Sequence, residues 1–178
     1  MAFTGFPPGG LTFYEQLGAD NTKAFWQANK ATFESDVQTP MRELCAELGE
    51  FGPFHLFRPY NDVRFAKNRP PYKDHQGAYG EREGGAGYYV HLGADGLFCG
   101  AGYYSMAKDQ LERFRAAIDD ERTGTQIARL CADLTKRGFG IGAMSELKTA
   151  PRGYPKDHPR IELIRRSGLV ASKNFGAP

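Results

Sequence analysis

The chain has 178 residues, 23 Lys/Arg against 21 Asp/Glu, a net charge of +2 and 40% hydrophobic residues. That length and composition suit one globular domain with its own core and exclude a disordered polymer. No run approaches the roughly 18 apolar residues of a membrane helix, and the first ten residues lack the charged and apolar stretches of a secretory leader, so a single cytoplasmic domain over 1–178 with no membrane partner is expected.

The elements follow in chain order. Residues 11–17 predict a short helix, and Asn21 a cap for the next one, which buries Phe25 and Trp26. Apolar residues then recur at Phe33, Val37, Met41, Leu44 and Leu48, a helical spacing. Pro40, behind Thr39, either kinks this run or restarts it as a second helix. Residues 54–57 predict a strand. The glycine-rich stretch 74–86 reads as a mobile loop, a lid beside the preceding basic segment. The clearest hairpin spans 87–102: Tyr88, Val90 and Leu92 alternate with Tyr89 and His91, Asp95-Gly96 turns, and 97–101 returns. Ser105 is placed to cap a helix carrying Leu111, Phe114 and Ile118; a second helix carries Ile127, Leu130, Cys131 and Leu134 and stops at Gly138. A strand over 141–147, a short helix over 161–166 and a strand over 169–171 complete the chain. Hairpin-linked strands with helices segregated before and after predict an α+β fold: a mainly antiparallel sheet, with N-terminal and central helices packed on it.

Cys45, Cys99 and Cys131 are far apart, with no C-x-x-C. Neither a metal site nor a disulfide framework is expected, and no cofactor motif is present. Gly84–Gly87 lacks the Lys-Ser/Thr and the helix of a phosphate loop. His55, His75 and His91 have no metal-like spacing, and His91 in a strand reads as a structural residue.

Charge is unevenly distributed. Segments 58–73 and 148–160 hold nine Lys/Arg and two acids, a local +7 that leaves −5 for the remainder. A basic cluster on an otherwise acidic chain points to a negatively charged partner. In an extended 58–65, Arg58, Tyr60, Asp62 and Arg64 share a face, and Asp62 is positioned to brace a guanidinium. Arginines beside Asp62 make it a better brace than base. The prolines of Arg69-Pro70-Pro71-Tyr72-Lys73 fix Tyr72 and Lys73 at low entropic cost. Pro151, Pro155 and Pro159 do the same for Arg152, Lys156, His158 and Arg160.

These residues carry a resemblance that runs through nearly the whole chain. The Phe3-Thr4-Gly5-Phe6 opening, the Phe25-Trp26 helix, Asp62-Val63-Arg64-Phe65, Pro71-Tyr72-Lys73, Gly100-Ala101-Gly102, Pro151-Arg152-Gly153-Tyr154 and Asp157-His158-Pro159 occur in this order. Together they resemble a widespread, mostly bacterial family of conserved hypothetical proteins, domain of unknown function 2461. The resemblance implies a fold and a place for the site, and no reaction. Family members usually have Asp-Lys where this chain has Asn68-Arg69, so Asn68 is given no acid–base role. They also tend to continue past residue 178, which implies a further C-terminal helix.

The expected function is binding of a small phosphorylated or carboxylated molecule in a basic pocket built by 58–73 and 148–160. Arg58, Arg64, Lys67, Tyr72, Lys73, Arg152 and His158 are the ligand residues. Were chemistry to follow, Asp62, Lys73 or His158 would carry it; no reaction is assigned. The alternatives are a single-stranded nucleic-acid module, with Tyr60, Phe65, Tyr72 and Tyr79 interleaved among cations, and an interaction domain whose arginines only brace loops.

Overall fold

The computed structural model describes residues 2–62, 68–81 and 85–176. It is an α+β fold built on an antiparallel sheet of six strands in the order β1-β2-β3-β4-β6-β5. Two compact units divide the chain. The first comprises Met1–Arg82, Tyr88–Cys99 and Asn174–Pro178; the second comprises Glu83–Gly87 and Gly100–Lys173.

The first unit opens with α1 (Pro8–Ala19) and α2 (Lys23–Thr32). Thr22, not Asn21, caps α2: its hydroxyl accepts the Phe25 N–H at 3.2 Å. The helix then runs through a π-helical turn, Phe33–Gln38, into α3 (Thr39–Glu47), with Pro40 in the first turn of α3. The missing Pro40 N–H is accommodated by the wider turn, in which Thr39 N–H reaches back to Glu34 O. One face of this helical wall supplies Phe13, Tyr14, Leu17, Trp26, Phe33, Val37, Met41 and Cys45 to a core. The opposing wall is the inner face of the sheet: Ala78, Val90 and Leu92, flanked by Leu97 and Cys99. Each large side chain buried here contributes about 1.5–3 kcal/mol.

The strands of this unit are β1 (Phe54–Leu56), β2 (His75–Glu81), β3 (Gly87–Gly93) and the start of β4 (Gly96–Tyr103). β1 and β2 are antiparallel, with His55 opposite Tyr79 and Leu56 opposite Ala78. The expectation of a mobile loop over 74–86 is corrected here, because 75–81 is an inner strand of the sheet. Its glycines are a packing requirement. A Cβ on Gly77 would stand 2.8 Å from the Tyr89 hydroxyl and 3.2 Å from the Phe57 ring, and one on Gly80 would meet the Phe54 ring at 3.0 Å. Aromatic rings from neighbouring segments lie over the strand where its own side chains would be.

The second unit contains α4 (Lys108–Asp119), α5 (Glu121–Lys136), β5 (Gly140–Gly142), the single turn α6 (Ile161–Ile164) and most of β6 (Leu169–Asn174). Ala107 rather than Ser105 occupies the N-cap of α4, and its N–H donates to the Gln110 side chain at 3.0 Å. Asp120 caps α5 by accepting the Thr123 N–H at 2.8 Å. Regular pairing ends at Gly142, short of the strand predicted to 147; beyond it, Glu146 makes one bridge to Arg166. Ile118, Leu163 and Ile164 form the core of this unit with Phe114, Ile127, Cys131 and Tyr154. Among the described residues, no helix is long and apolar enough to cross a membrane.

Candidate functional site

The first basic segment folds back on itself. Tyr60 pairs with Tyr72 as an antiparallel bridge, Asn61 N–H donates to Pro71 O at 2.9 Å, and Lys73 N–H donates to Pro59 O at 2.8 Å. Proline has no N–H to offer, so Pro59, Pro70 and Pro71 enter these bonds only through their carbonyls. Two asparagines lock the arms. The Asn61 amide donates to Pro70 O and Tyr72 O, while Asn21 donates to Tyr72 O and accepts the Tyr72 N–H, both at 3.0 Å. The residue expected to cap α2 therefore clamps a loop 51 positions away.

This clamp sends Tyr72 and Lys73 in different directions. Tyr72 is 6% exposed and stacks on Trp26. Its ring is committed to the core, which corrects its expected contact with a ligand. Lys73 is only half-buried, with Nζ 5.2 Å from the centre of the Phe57 ring. Burial, and then the charges of Arg58 and Arg69, push its ammonium below the ordinary lysine value. Arg58 and Arg69 are exposed, and among the described residues no carboxylate pairs with either of them or with Lys73. The adjacent Asp74 is bonded to His75 Nδ1 at 2.7 Å. Asp62 is half-buried and engaged by a neighbour. Arg64 and Lys67, two of the expected ligand residues, lie outside the described residues.

Beside Lys73, the outer face of the sheet is aromatic. Phe57, just past β1, is tied down by its own N–H to Gly77 O at 2.9 Å and by the buried Gln76 amide, which donates to Phe57 O at 2.8 Å. Tyr89 lies 6.3 Å from Phe57 and hydrogen-bonds His91 Nδ1 at 3.1 Å. His91 stacks on Phe98 at 4.8 Å, and the His75 ring approaches His91 at 4.6 Å. Burial, and then His75, lower the His91 pKa to about 4, so its ring is neutral at pH 7. The sequence reading missed this face. Tyr89 and His91 were placed on one side of a strand, but neighbours from β2 and β4 were not in view.

The second basic segment uses its charged side chains differently. The Arg160 side chain is 9% exposed. It donates to Ile118 O and Asp119 O at the end of α4, to Thr125 Oγ1 and to Glu121 Oε2. The His158 side chain is 8% exposed. Its Nδ1 accepts the Arg160 N–H at 3.0 Å, so the proton sits on Nε2, which faces Asp119 Oδ1 at 3.2 Å. Both ring nitrogens are used, and His158 braces the α4–α6 junction instead of presenting an acid–base group. Arg152 and Lys156 are exposed.

A cavity of about 670 Å³ also lies in the second unit, lined by Phe114, Ile127, Leu130, Cys131, Leu169 and Val170 among others. Its lining is mostly apolar; at its edge Gln110 Oε1 caps α4 and Arg113 makes an exposed pair with Asp109 at 2.9 Å. Burial pushes the Cys131 thiol up, partly offset by Arg166, so it is no activated nucleophile. An apolar cavity without convergent polar groups has nothing to orient a ligand. Arg58, Arg69, Lys73 and the ring-lined surface belong to the first unit. Among the described residues, no cluster of three or more His, Cys, Asp or Glu stands ready for a metal ion.

The family model for conserved hypothetical proteins (DUF2461) matches residues 10–177, and the chain belongs to that family. No curated protein and no solved structure matches it.

Proposed function

We propose that this family member binds a small anionic molecule, phosphorylated or carboxylated, through Arg58, Arg69 and Lys73 of the first unit. The observation that carries the reading is the state of Lys73: its charge is disfavoured by burial and by two neighbouring arginines, and among the described residues no carboxylate forms an ion pair with it. Cations held together against their own repulsion gain free energy when an anion arrives. The clamp from Asn21 and Asn61 fixes the loop before binding, which lowers the ordering cost of the bound state. Arg64 and Lys67 add to the charge of the same segment. No reaction is proposed. Three unpaired cysteines suit a reducing compartment, and we place the protein in the cytoplasm.

Thermal unfolding with pyrophosphate, citrate and sugar phosphates tests the reading. A ligand at about 100 times its Kd adds about 2.7 kcal/mol to stability, and this gain should vanish in the Arg58→Gln/Lys73→Gln double variant. An equal gain in the variant, or none with any anion, contradicts it. Retention on single-stranded DNA with a steep salt dependence, in the absence of small-anion binding, would favour the nucleic-acid alternative.

A further inference from the structure

The ring-lined face begins at the residue that carries Lys73. Phe57 has the Lys73 ammonium over its ring, lies next to Tyr89, and is 41% exposed. Beyond it come Tyr89, His91 and Phe98, in consecutive contact on the outer side of β3 and β4. The strand residues between them, Val90, Leu92, Leu97 and Cys99, point into the core. Gly77 makes this surface possible, because any side chain there would collide with Tyr89 and Phe57. A sheet that needed only solubility would carry charged groups on its open side. This one carries aromatic rings and a histidine that is neutral at pH 7, bordered by the Lys73 ammonium over Phe57 and by the Asp74–His75 pair beside His91.

From this juxtaposition we infer that the anion bound at Arg58, Arg69 and Lys73 carries a planar aromatic ring, as a nucleotide does, with the ring against Phe57 and Tyr89 and the phosphate on the cations. The inference rests on the anion-binding reading above and adds the ligand class. Rings offer a face to any nucleobase, so the surface selects for a base without selecting which base. A neutral His91 suits this role, since a protonated one would bring charge and bound water to the row.

Calorimetric titration with AMP, ribose 5-phosphate, adenosine and an eight-residue oligoadenylate separates the contributions. AMP is expected to bind at least tenfold more tightly than ribose 5-phosphate, the scale of one base–aromatic stack. Phe57→Leu is expected to remove that advantage, so that AMP and ribose 5-phosphate bind this variant equally; Tyr89→Leu serves as the second variant should Phe57→Leu fail to fold. Oligoadenylate binding with a steep salt dependence identifies single strands as the source of the nucleotide, and affinity equal to AMP identifies the mononucleotide; either supports the inference. Equal affinity for AMP and ribose 5-phosphate overturns the ring while sparing the anion site. An AMP advantage over ribose 5-phosphate that persists in both the Phe57 and the Tyr89 variant overturns the assigned surface. Failure of every probe overturns both.

Discussion

Tyr72 lies flat on Trp26, with ring centroids 4.3 Å apart and planes 5° from parallel. The next residue, Lys73, faces outward over Phe57. A buried ring and a half-buried cation on opposite sides at consecutive positions follow from the extended backbone that the Tyr60–Tyr72 bridge imposes. Tyr72 therefore matters to the site through the core. Tyr72→Ala should destabilise by about 3–5 kcal/mol, whereas Tyr72→Phe, which keeps the stack, should stay within about 1 kcal/mol of the parent. Urea denaturation measures both.

Asn21 supplies the partners of the Tyr72 N–H and one of those of its carbonyl. Asn21→Ala leaves the buried N–H without an acceptor and should cost about 1–3 kcal/mol. Asn21→Asp keeps the acceptor but sets a carboxylate oxygen against Tyr72 O, and should also be destabilising. No loss in either variant on chemical denaturation would show that the clamp is not held through these bonds.

His91 links stability to pH. Its folded pKa, about 4, lies below the ordinary value of 6.5. The unfolded chain then takes up a proton first as pH falls. The contribution is present in full above pH 6.5 and is lost progressively down to pH 4, on the order of 2 kcal/mol after allowance for partial exposure. His91→Phe should flatten the stability-against-pH curve across that window, as followed by thermal unfolding.

The two halves of segment 148–160 should separate in mutagenesis. Arg160→Ala strips the partners from Ile118 O and Asp119 O and should cost about 2–4 kcal/mol. Arg152, which is exposed, should change stability by no more than about 0.5 kcal/mol when replaced by Ala. Comparing the two denaturation midpoints distinguishes bracing arginines from exposed ones.

The limits of the sequence reading have physical causes. The helices and the 87–102 hairpin were legible because apolar periodicity is a local signal, and α1, α4, α5, β3 and β4 fall close to where it places them. β2 was illegible for the opposite reason: rings of Phe54, Phe57 and Tyr89 occupy the space beside Gly77 and Gly80, and these two glycines interrupt the alternation that would mark a strand. Asn21 looked like a cap because asparagine before a helix usually is one; its bond to Tyr72 spans 51 positions and leaves no local trace. Arg58 and Lys73 were legible as members of a basic segment, since charge can be counted along a chain while its spatial partners cannot. For His158 the sequence left a bracing role and an acid–base role both open, because Asp119, its partner, is 39 residues upstream and leaves no local trace.

The most direct measurement is the titration of the Lys73 amine itself, by NMR of carbon-labelled dimethyl-lysine with and without inorganic phosphate. Lys73 should titrate below the other lysines in the free protein, since burial, Arg58 and Arg69 disfavour its charge. Phosphate should move it upward, because a bound anion offsets both. A Lys73 signal that titrates with the other lysines and ignores phosphate would contradict the account.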